Sequence, residues 1–376
     1  MKPVYIIADS VISSLGFDTQ QNYNAIMQQQ SGIQQHTKLE IYPEKFWASM
    51  IDAELFQQKF QQNFEKETYT FFEKIAIQAI INTNENTRID LSKSNVLFVL
   101  STTKGNIAAL SIDDEKVYLQ NTAKKIAQYF QNSNSPIVVD QACISGIAAL
   151  NFATYFIEEN KFDFVVVVGA DVVSSFVVNG FFALNAVSNA LCKPFDKNRS
   201  GINLGESAGA IILANASFAS SLQLSAGNTS NDANHISGPS RTGEELAWCI
   251  AETMKDAGLD ASQIGFVSAH GTATIFNDEM ESKAIEQNNL SAIPTFSLKG
   301  YFGHTLGAAG IIETIISAQA LKENSIPTSI GYEENGVTGT VNITKENQHK
   351  EINNFIKTGA GFGGCNACLI VKKIAI

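Results

Sequence analysis

Short runs of β-branched and aliphatic residues alternate with longer stretches of helical period from one end of the chain to the other. Apolar runs bounded by turn residues read as buried strands; apolar positions three and four apart read as one helix face. The first series of predicted strands covers 4–7, 96–100, 137–140, 164–168 and 209–213. A second series follows at 222–226, 265–269, 295–298, 340–343, 354–358 and 367–371. Helical period is carried by 69–82, 116–131, 146–159, 243–257, 278–287 and 308–321. Strands alternating with helices predict an α/β protein. The two series match in order and spacing, though not residue by residue. That match predicts an internal duplication with its seam near 215–221, dividing the chain into 1–215 and 216–376. No low-complexity linker intervenes, so one packed body is expected. The Gln-rich 28–35 and the segment 57–66 are polar enough for solvated surface.

Composition narrows the function. At 376 residues, 44% apolar and 17% charged, the chain can bury a large core in one or two domains. A formal charge of −11 and a pI near 5.0 argue against nucleic-acid binding, which needs clustered positive charge. The longest apolar stretch, 162–182, is broken by Asp163, Asp171 and Asn179, so no membrane span is expected. Met1-Lys2-Pro3 runs straight into a strand-like segment rather than a signal peptide, which points to the cytoplasm. Five cysteines show no disulfide framework, and Cys365-Asn366-Ala367-Cys368 reads as strand residues rather than a redox or metal pair. The five histidines have no ligand spacing, so no metal is expected.

Candidate chemistry begins at Cys143. The run Val138-Val139-Asp140-Gln141-Ala142-Cys143 breaks into the small residues of Ile144-Ser145-Gly146, which reads as strand, elbow and helix. A sulfur at a helix start faces unpaired N–H groups that favour thiolate, although a buried structural cysteine fits the same elbow. Two distant segments decide between these readings. His270 follows a strand and precedes Gly271-Thr272-Ala273-Thr274; Lys299 and His304 flank a glycine-bearing loop that leads to a small-residue helix containing Glu313. A glycine-dense turn, Gly359-Ala360-Gly361-Phe362-Gly363-Gly364-Cys365, follows a late strand, and its backbone can approach a ligand closely. Four such segments, each after a predicted strand, are hard to attribute to packing.

Together with 193–201, 205–209, Asn231-Asp232-Ala233-Asn234-His235, and Asn277-Asp278 with Glu281, these segments resemble the β-ketoacyl-acyl-carrier-protein synthases of the elongating, Cys-His-His kind over nearly the whole length. The resemblance implies a duplicated thiolase-like fold, a five-layered α-β-α-β-α body. It also implies a homodimer or a ketosynthase-like heterodimer, acyl carrier protein as partner, substrates carried on phosphopantetheine, and no other cofactor. It makes Cys143 the acyl-accepting nucleophile and His270 and His304 the pair that assists malonyl decarboxylation. Lys299 becomes their electrostatic support with Glu313 as its partner. Phe362 becomes the gate, its N–H joining that of Cys143 in the oxyanion hole. Thr272, Thr274 and Ser237 line the pantetheine or substrate channel, and Lys193 and Arg199 meet the carrier, with Lys66 better read as solvated surface.

The chain departs from the pattern by its short stretch between Gly105 and Ala142, by Ala360 where a phenylalanine is usual, and by Cys365 where threonine is common. These departures suggest a specialised acyl chain, a polyene or another secondary-metabolite substrate. An acidic carrier meeting an acidic chain needs a local basic patch. A thiolase acting on CoA esters, an initiating synthase and a chain-length-factor-like subunit are the rival readings. The first has Cys365 in its favour, whereas the paired histidines and the retained Cys143 weigh against all three.

Overall fold

The computed structural model describes residues 2–64, 69–110, 115–215, 218, 220–234, 236 and 238–374. Strands β1 (Val4–Ile12), β2 (Val96–Ser101), β3 (Ile137–Val139), β4 (Phe164–Asp171) and β5 (Ser207–Ala214) come from the first part of the chain. The second part supplies β6 (Leu222–Asn231), β7 (Val267–Ala269), β8 (Pro294–Ser297), β9 (Asn342–Ile343), β10 (Asn354–Ala360) and β11 (Cys365–Lys373). All eleven join one sheet in the order β9-β8-β7-β10-β11-β6-β1-β5-β4-β2-β3.

That order contains the duplication. Outward from the β1–β6 join, the first set runs β1-β5-β4-β2-β3 and the second runs β6-β11-β10-β7-β8, with β9 added at the edge. Strand senses repeat as well. The two pairings nearest the join are antiparallel and the two outer ones parallel, in both sets. The join itself is a short contact, Val4 opposite Leu224 and Tyr5 opposite Gln223. The eleven strands therefore act as two sheets.

Helices complete the layers. On the outer face of the first sheet lie α1 (Phe71–Asn84) and α2 (Leu119–Tyr129), while α3 (Ser145–Glu158) passes between the sheets. Beyond β4, α4 (Ser175–Ala183) precedes β5. In the second set, α5 (Glu244–Asp256) covers the outer face with α6 (Ile275–Gln287) beside it, and α7 (Ala309–Lys322) joins α3 in the middle. Alternation along β4 shows why its run is continuously apolar: Val165 and Val167 enter the central core, and Val166 and Val168 enter the outer one with α1. Both faces are covered, so both must be apolar. The same reasoning explains α7, buried at every position from Ala309 to Ala318.

The eleven predicted strands are the eleven strands of the large sheet. Polar residues hide the extent of β6, whose first part alternates buried and half-buried positions and whose outer residues, 227–231, are not buried although their backbone pairs with β11. Within the Gln-rich stretch, Gln34 and Gln35 are exposed as expected, but Ile33–His36 is a strand paired with Phe46–Ser49, which pairs in turn with Leu204–Gly205. Four-residue strands with polar outer faces carry too little period to read from sequence.

The two central helices cross at glycine on glycine. A Cβ on Gly310 would lie 2.4 Å from the Ile147 nitrogen, and one on Gly146 would lie 2.7 Å from the Ile311 nitrogen. Gly310→Ala is expected to destabilise the chain by about 1–3 kcal/mol through overpacking, although alanine is the better helix former by about 1 kcal/mol. The urea midpoint measures this; a midpoint unchanged or raised contradicts the crossing.

Candidate active site

Cys143 stands where β3 ends and α3 has not begun. The turn Ala142–Ile144 carries it, with Ala142 held at φ +47°, in the left-handed region. The Ser145 hydroxyl donates to the Ala142 carbonyl at 2.6 Å and accepts the Gln141 N–H at 2.8 Å, which locks the elbow. The helix proper starts at Ser145 rather than at the thiol. Its favourable end is therefore outweighed. Burial pushes the Cys143 thiol up to about 12, the Cys365 thiol adds to this, and Lys299 and the Phe362 N–H only partly oppose it. The expected resting thiolate is a protonated thiol.

His270 leaves the end of β7. Its N–H and that of Gly271 donate to the two oxygens of Glu281 at 2.8 Å each, and the Thr358 hydroxyl reaches the same carboxyl at 2.6 Å. Asp278 accepts the Thr272 N–H at 2.9 Å and the Phe195 N–H at 2.7 Å, so two buried carboxyls hold the whole 270–273 loop. His304 follows the turn Lys299–Phe302 after β8. Its N–H donates to the Asn203 carbonyl at 2.7 Å and its carbonyl accepts the Gly205 N–H at 3.0 Å, which pins it to the first part of the chain. Asp171, at the end of β4, takes the Gly307 N–H at 2.7 Å and the Thr103 N–H at 2.9 Å, with burial pushing its carboxyl up to about 6.

These elements bring the Cys143 sulfur and a ring nitrogen of each histidine within 4.8 Å of one another. The imidazole centres are 5.3 Å apart, edge to face. Neither nitrogen of His304 has a protein partner among the described residues. The trio borders a cavity of about 270 Å³ that is also lined by Phe181, Phe276 and Phe362. Phe181 and Phe362 stack with ring centres 5.8 Å apart. Thr272 and Thr274 line the same cavity. Ser237, His235 and Lys66 lie outside the described residues.

Behind the imidazoles is a buried charge cluster. Lys299 pairs with Glu313 and donates to the His270 carbonyl at 3.2 Å. Lys357, a residue the sequence reading passed over, reaches the other oxygen of Glu313 at 2.7 Å. Burial alone would raise the Glu313 carboxyl, but the two lysines hold it below the usual range. Burial also drives both imidazoles well below 6.5, and the two ammonium groups push them further down. Three soft donors this close could reach a divalent cation, but two ammonium groups behind them oppose more positive charge.

The carrier-facing residues are placed differently from expectation. Arg199 is buried, and its guanidinium donates to the carbonyls of Thr274, Asp196, Gly336 and Ile275. It fastens the loop before α6, with four of its five N–H groups spent on carbonyls and the side chain buried, which places it in the fold rather than on a docking surface. Lys193 is partly exposed and paired with Glu333 at 3.0 Å. Among the described residues, no helix is long and apolar enough to cross a membrane. Glu313→Gln leaves two buried ammonium groups facing each other and is expected to cost about 3–5 kcal/mol. A denaturation midpoint equal to that of the unsubstituted chain would refute the ion cluster.

The chain is similar to known proteins in sequence and in fold. A Schizosaccharomyces pombe protein described as a mitochondrial 3-oxoacyl-[acyl-carrier-protein] synthase is 28% identical over 69% of this chain, which spans 66% of that protein. A Vibrio harveyi 3-oxoacyl-[acyl-carrier-protein] synthase 2 is 24% identical, with 99% of each chain covered. In three dimensions, a ketosynthase in complex with its chain length factor from Xenorhabdus doucetiae superposes with a TM-score of 0.89 at 22% identity, covering 99% of this chain and 98% of that one. Residues 1–219 match the N-terminal domain of beta-ketoacyl synthase and residues 223–333 match its C-terminal domain. With a thiol and two imidazoles converging between two copies of one strand order, and with that match across both parts of the chain, this protein belongs to the β-ketoacyl synthase family.

Proposed function

We propose that the chain is a decarboxylative condensing enzyme that joins an acyl group held on Cys143 to a malonyl group on an acyl carrier protein, giving a 3-oxoacyl carrier in fatty-acid, polyene or polyketide-type synthesis. The observation that carries this reading is the 4.8 Å convergence of the Cys143 sulfur with His270 and His304 in one cavity.

In the first half-reaction Cys143 attacks the acyl thioester. The thiol proton leaves through a neighbouring imidazole and ends on the departing carrier thiol, which supplies the nucleophile although the resting group is protonated. The Phe362 N–H, facing the sulfur, and the Cys143 N–H are the donors for the tetrahedral oxyanion. In the second half-reaction the malonyl carbon–carboxylate bond breaks, CO₂ departs, and its electron pair becomes an enolate. Neutral His270 and His304 donate N–H to the enolate oxygen, each well-aimed donor contributing about 3 kcal/mol. The enolate carbon attacks the Cys143 thioester, and the Cys143 thiolate that leaves takes up one proton from solvent. Lys299, paired with Glu313, supports the imidazoles, and Phe362 with Phe181 gates the cavity. Thr272 and Thr274 line the path of the phosphopantetheine arm, and no other cofactor is required.

The parts 1–215 and 216–376 serve as the two halves, the first bringing the thiol and the second both imidazoles. The Xenorhabdus doucetiae ketosynthase is in complex with its chain length factor, and the partner subunit proposed for this chain is either a second copy or such a ketosynthase-like subunit. Five free cysteines, one of them the nucleophile, suit a reducing cytoplasm. A thiolase reading would employ Cys365, but its thiol points to the carbonyls of Gln141 and Phe362 instead.

Cys143→Ala is expected to lower carbon–carbon bond formation by about a thousandfold or more while CO₂ release from malonyl carrier persists. Elongation that survives this substitution refutes the proposal. Lys193 remains the candidate for carrier contact. Lys193→Glu should raise the apparent KM for carrier-bound substrate by about three- to tenfold at unchanged kcat, and an unaltered KM removes it from the dock.

A further inference from the structure

Lys357 is a charged side chain at the centre of the molecule with no part in the steps above. It lies on β10, opposite Ser268 of β7 in parallel register, and is 0% exposed. An ammonium persists in such a place only where partners take up both its charge and its protons. Its Nζ has such partners. Besides Glu313 at 2.7 Å, it reaches the carbonyls of Ser268 at 3.2 Å, Ala269 at 3.3 Å and Thr358 at 2.7 Å. Ser268 and Ala269 are the last residues before His270. Thr358 stands shortly before the turn that carries Phe362. One ammonium group therefore ties together the two backbone branches that deliver an imidazole and an oxyanion donor to the cavity.

The charge count around the imidazoles is equally specific. The titratable groups that face them are Cys143, Lys299, Lys357, Glu313 and Glu281, with Asp232 at the cavity wall. Glu281 is occupied by N–H groups of the His270 loop. Two ammonium groups share the carboxylate of Glu313, and Glu281 also acts on Lys357, but the charges that bear on the imidazole pair are those of Lys299 and Lys357, both positive. That field matters for decarboxylation. A charged imidazolium would bind the malonyl carboxylate and stabilise the ground state, whereas a neutral imidazole donates only to the charge that develops on the enolate.

We infer that Lys357 is a positioning residue for the proposed condensation, on which this inference rests: it ties the end of β7 to the Phe362 turn and supplies the second buried cation that keeps His270 and His304 uncharged. Burial is the larger cause of the low imidazole pKa values, with Lys299 ahead of Lys357 in each. Removing one cation should therefore raise them part of the way.

The test is Lys357→Met, which keeps the side chain's length, removes its charge and leaves Lys299 and Glu313 balanced. CO₂ release from malonyl carrier near pH 7 is expected to fall about ten- to a hundredfold. Acyl transfer to Cys143, followed by intact mass, should fall by a clearly smaller factor than CO₂ release, because it uses the Phe362 turn but not the enolate-stabilising imidazole pair. The acid limb of the CO₂-release profile should move to higher pH. Equal losses in both half-reactions with an unmoved acid limb mean a merely structural lysine and overturn the inference. Should the variant fail to fold, proton NMR of the unsubstituted protein decides. Imidazoles of His270 and His304 that remain neutral at about pH 6 support the inference, and either one titrating at about 6.5 or above overturns it. An unsubstituted protein that neither accepts an acyl group on Cys143 nor releases CO₂ overturns the condensation reading itself, an outcome separate from the titration.

Discussion

Everything at the site depends on how closely α3 and α7 pass. Each begins immediately after a loop that carries chemistry, Cys143 before α3 and His304 before α7, and each is buried between the same two sheets. Side chains at the crossing would hold the helix starts apart. Gly146 and Gly310 remove that obstacle, so backbone meets backbone and the sulfur comes within reach of the imidazoles. The duplicated strand order makes this meeting a matter of symmetry: corresponding loops of two similar halves open toward one cavity.

Once the loops are together, buried carboxyls keep them there. Glu281 holds the start of the His270 loop, Asp278 its continuation and Asp171 the segment after His304, each accepting backbone N–H groups with no solvent to compete. Such groups cost free energy to bury and are tolerated because each of their oxygens accepts at least one local donor. Lys299, Glu313 and Lys357 are costlier still. Their arrangement combines architecture with chemistry, since the charges that pin the strand ends also set the field felt by the imidazoles.

Surface charge follows a different logic. Arg199 shows that a cation can be buried and largely consumed by carbonyls of the fold, and Lys193 and Lys197 are each matched by a glutamate on the neighbouring 333–334 loop. The formal charge of −11 is thus not relieved by an obvious basic face at those positions. Apolar side chains stand there instead: Phe276 is 71% exposed and Ile236 is 82% exposed, with Ile236 bonded through its carbonyl to Gly363 of the turn that carries Phe362.

Much of this was open to reading along the chain. Period and turn residues located all eleven strands of the large sheet, because fully covered strands must be continuously apolar and cannot be confused with solvated loops. Cys143, His270, Lys299, His304 and Phe362 stood out because each lay beside a strand end or a glycine turn, whereas Glu313, inside a helix, was assigned only through the family resemblance. What escaped were facts of contact. A lysine in a short strand such as Asn354-Phe355-Ile356-Lys357-Thr358 reads as an edge residue facing water until neighbours on both sides enclose it, and β7 and β11 do so here. The charge state of Cys143 escaped for the same reason: an elbow before a helix favours thiolate locally, and only enclosure by distant segments supplies the desolvation that overrides it. Local pattern determined which residues sit at strand ends, since periodicity is a property of neighbours in sequence. Packing between the halves decided which of them touch and which carry charge, since burial and electrostatic fields are summed over the whole fold.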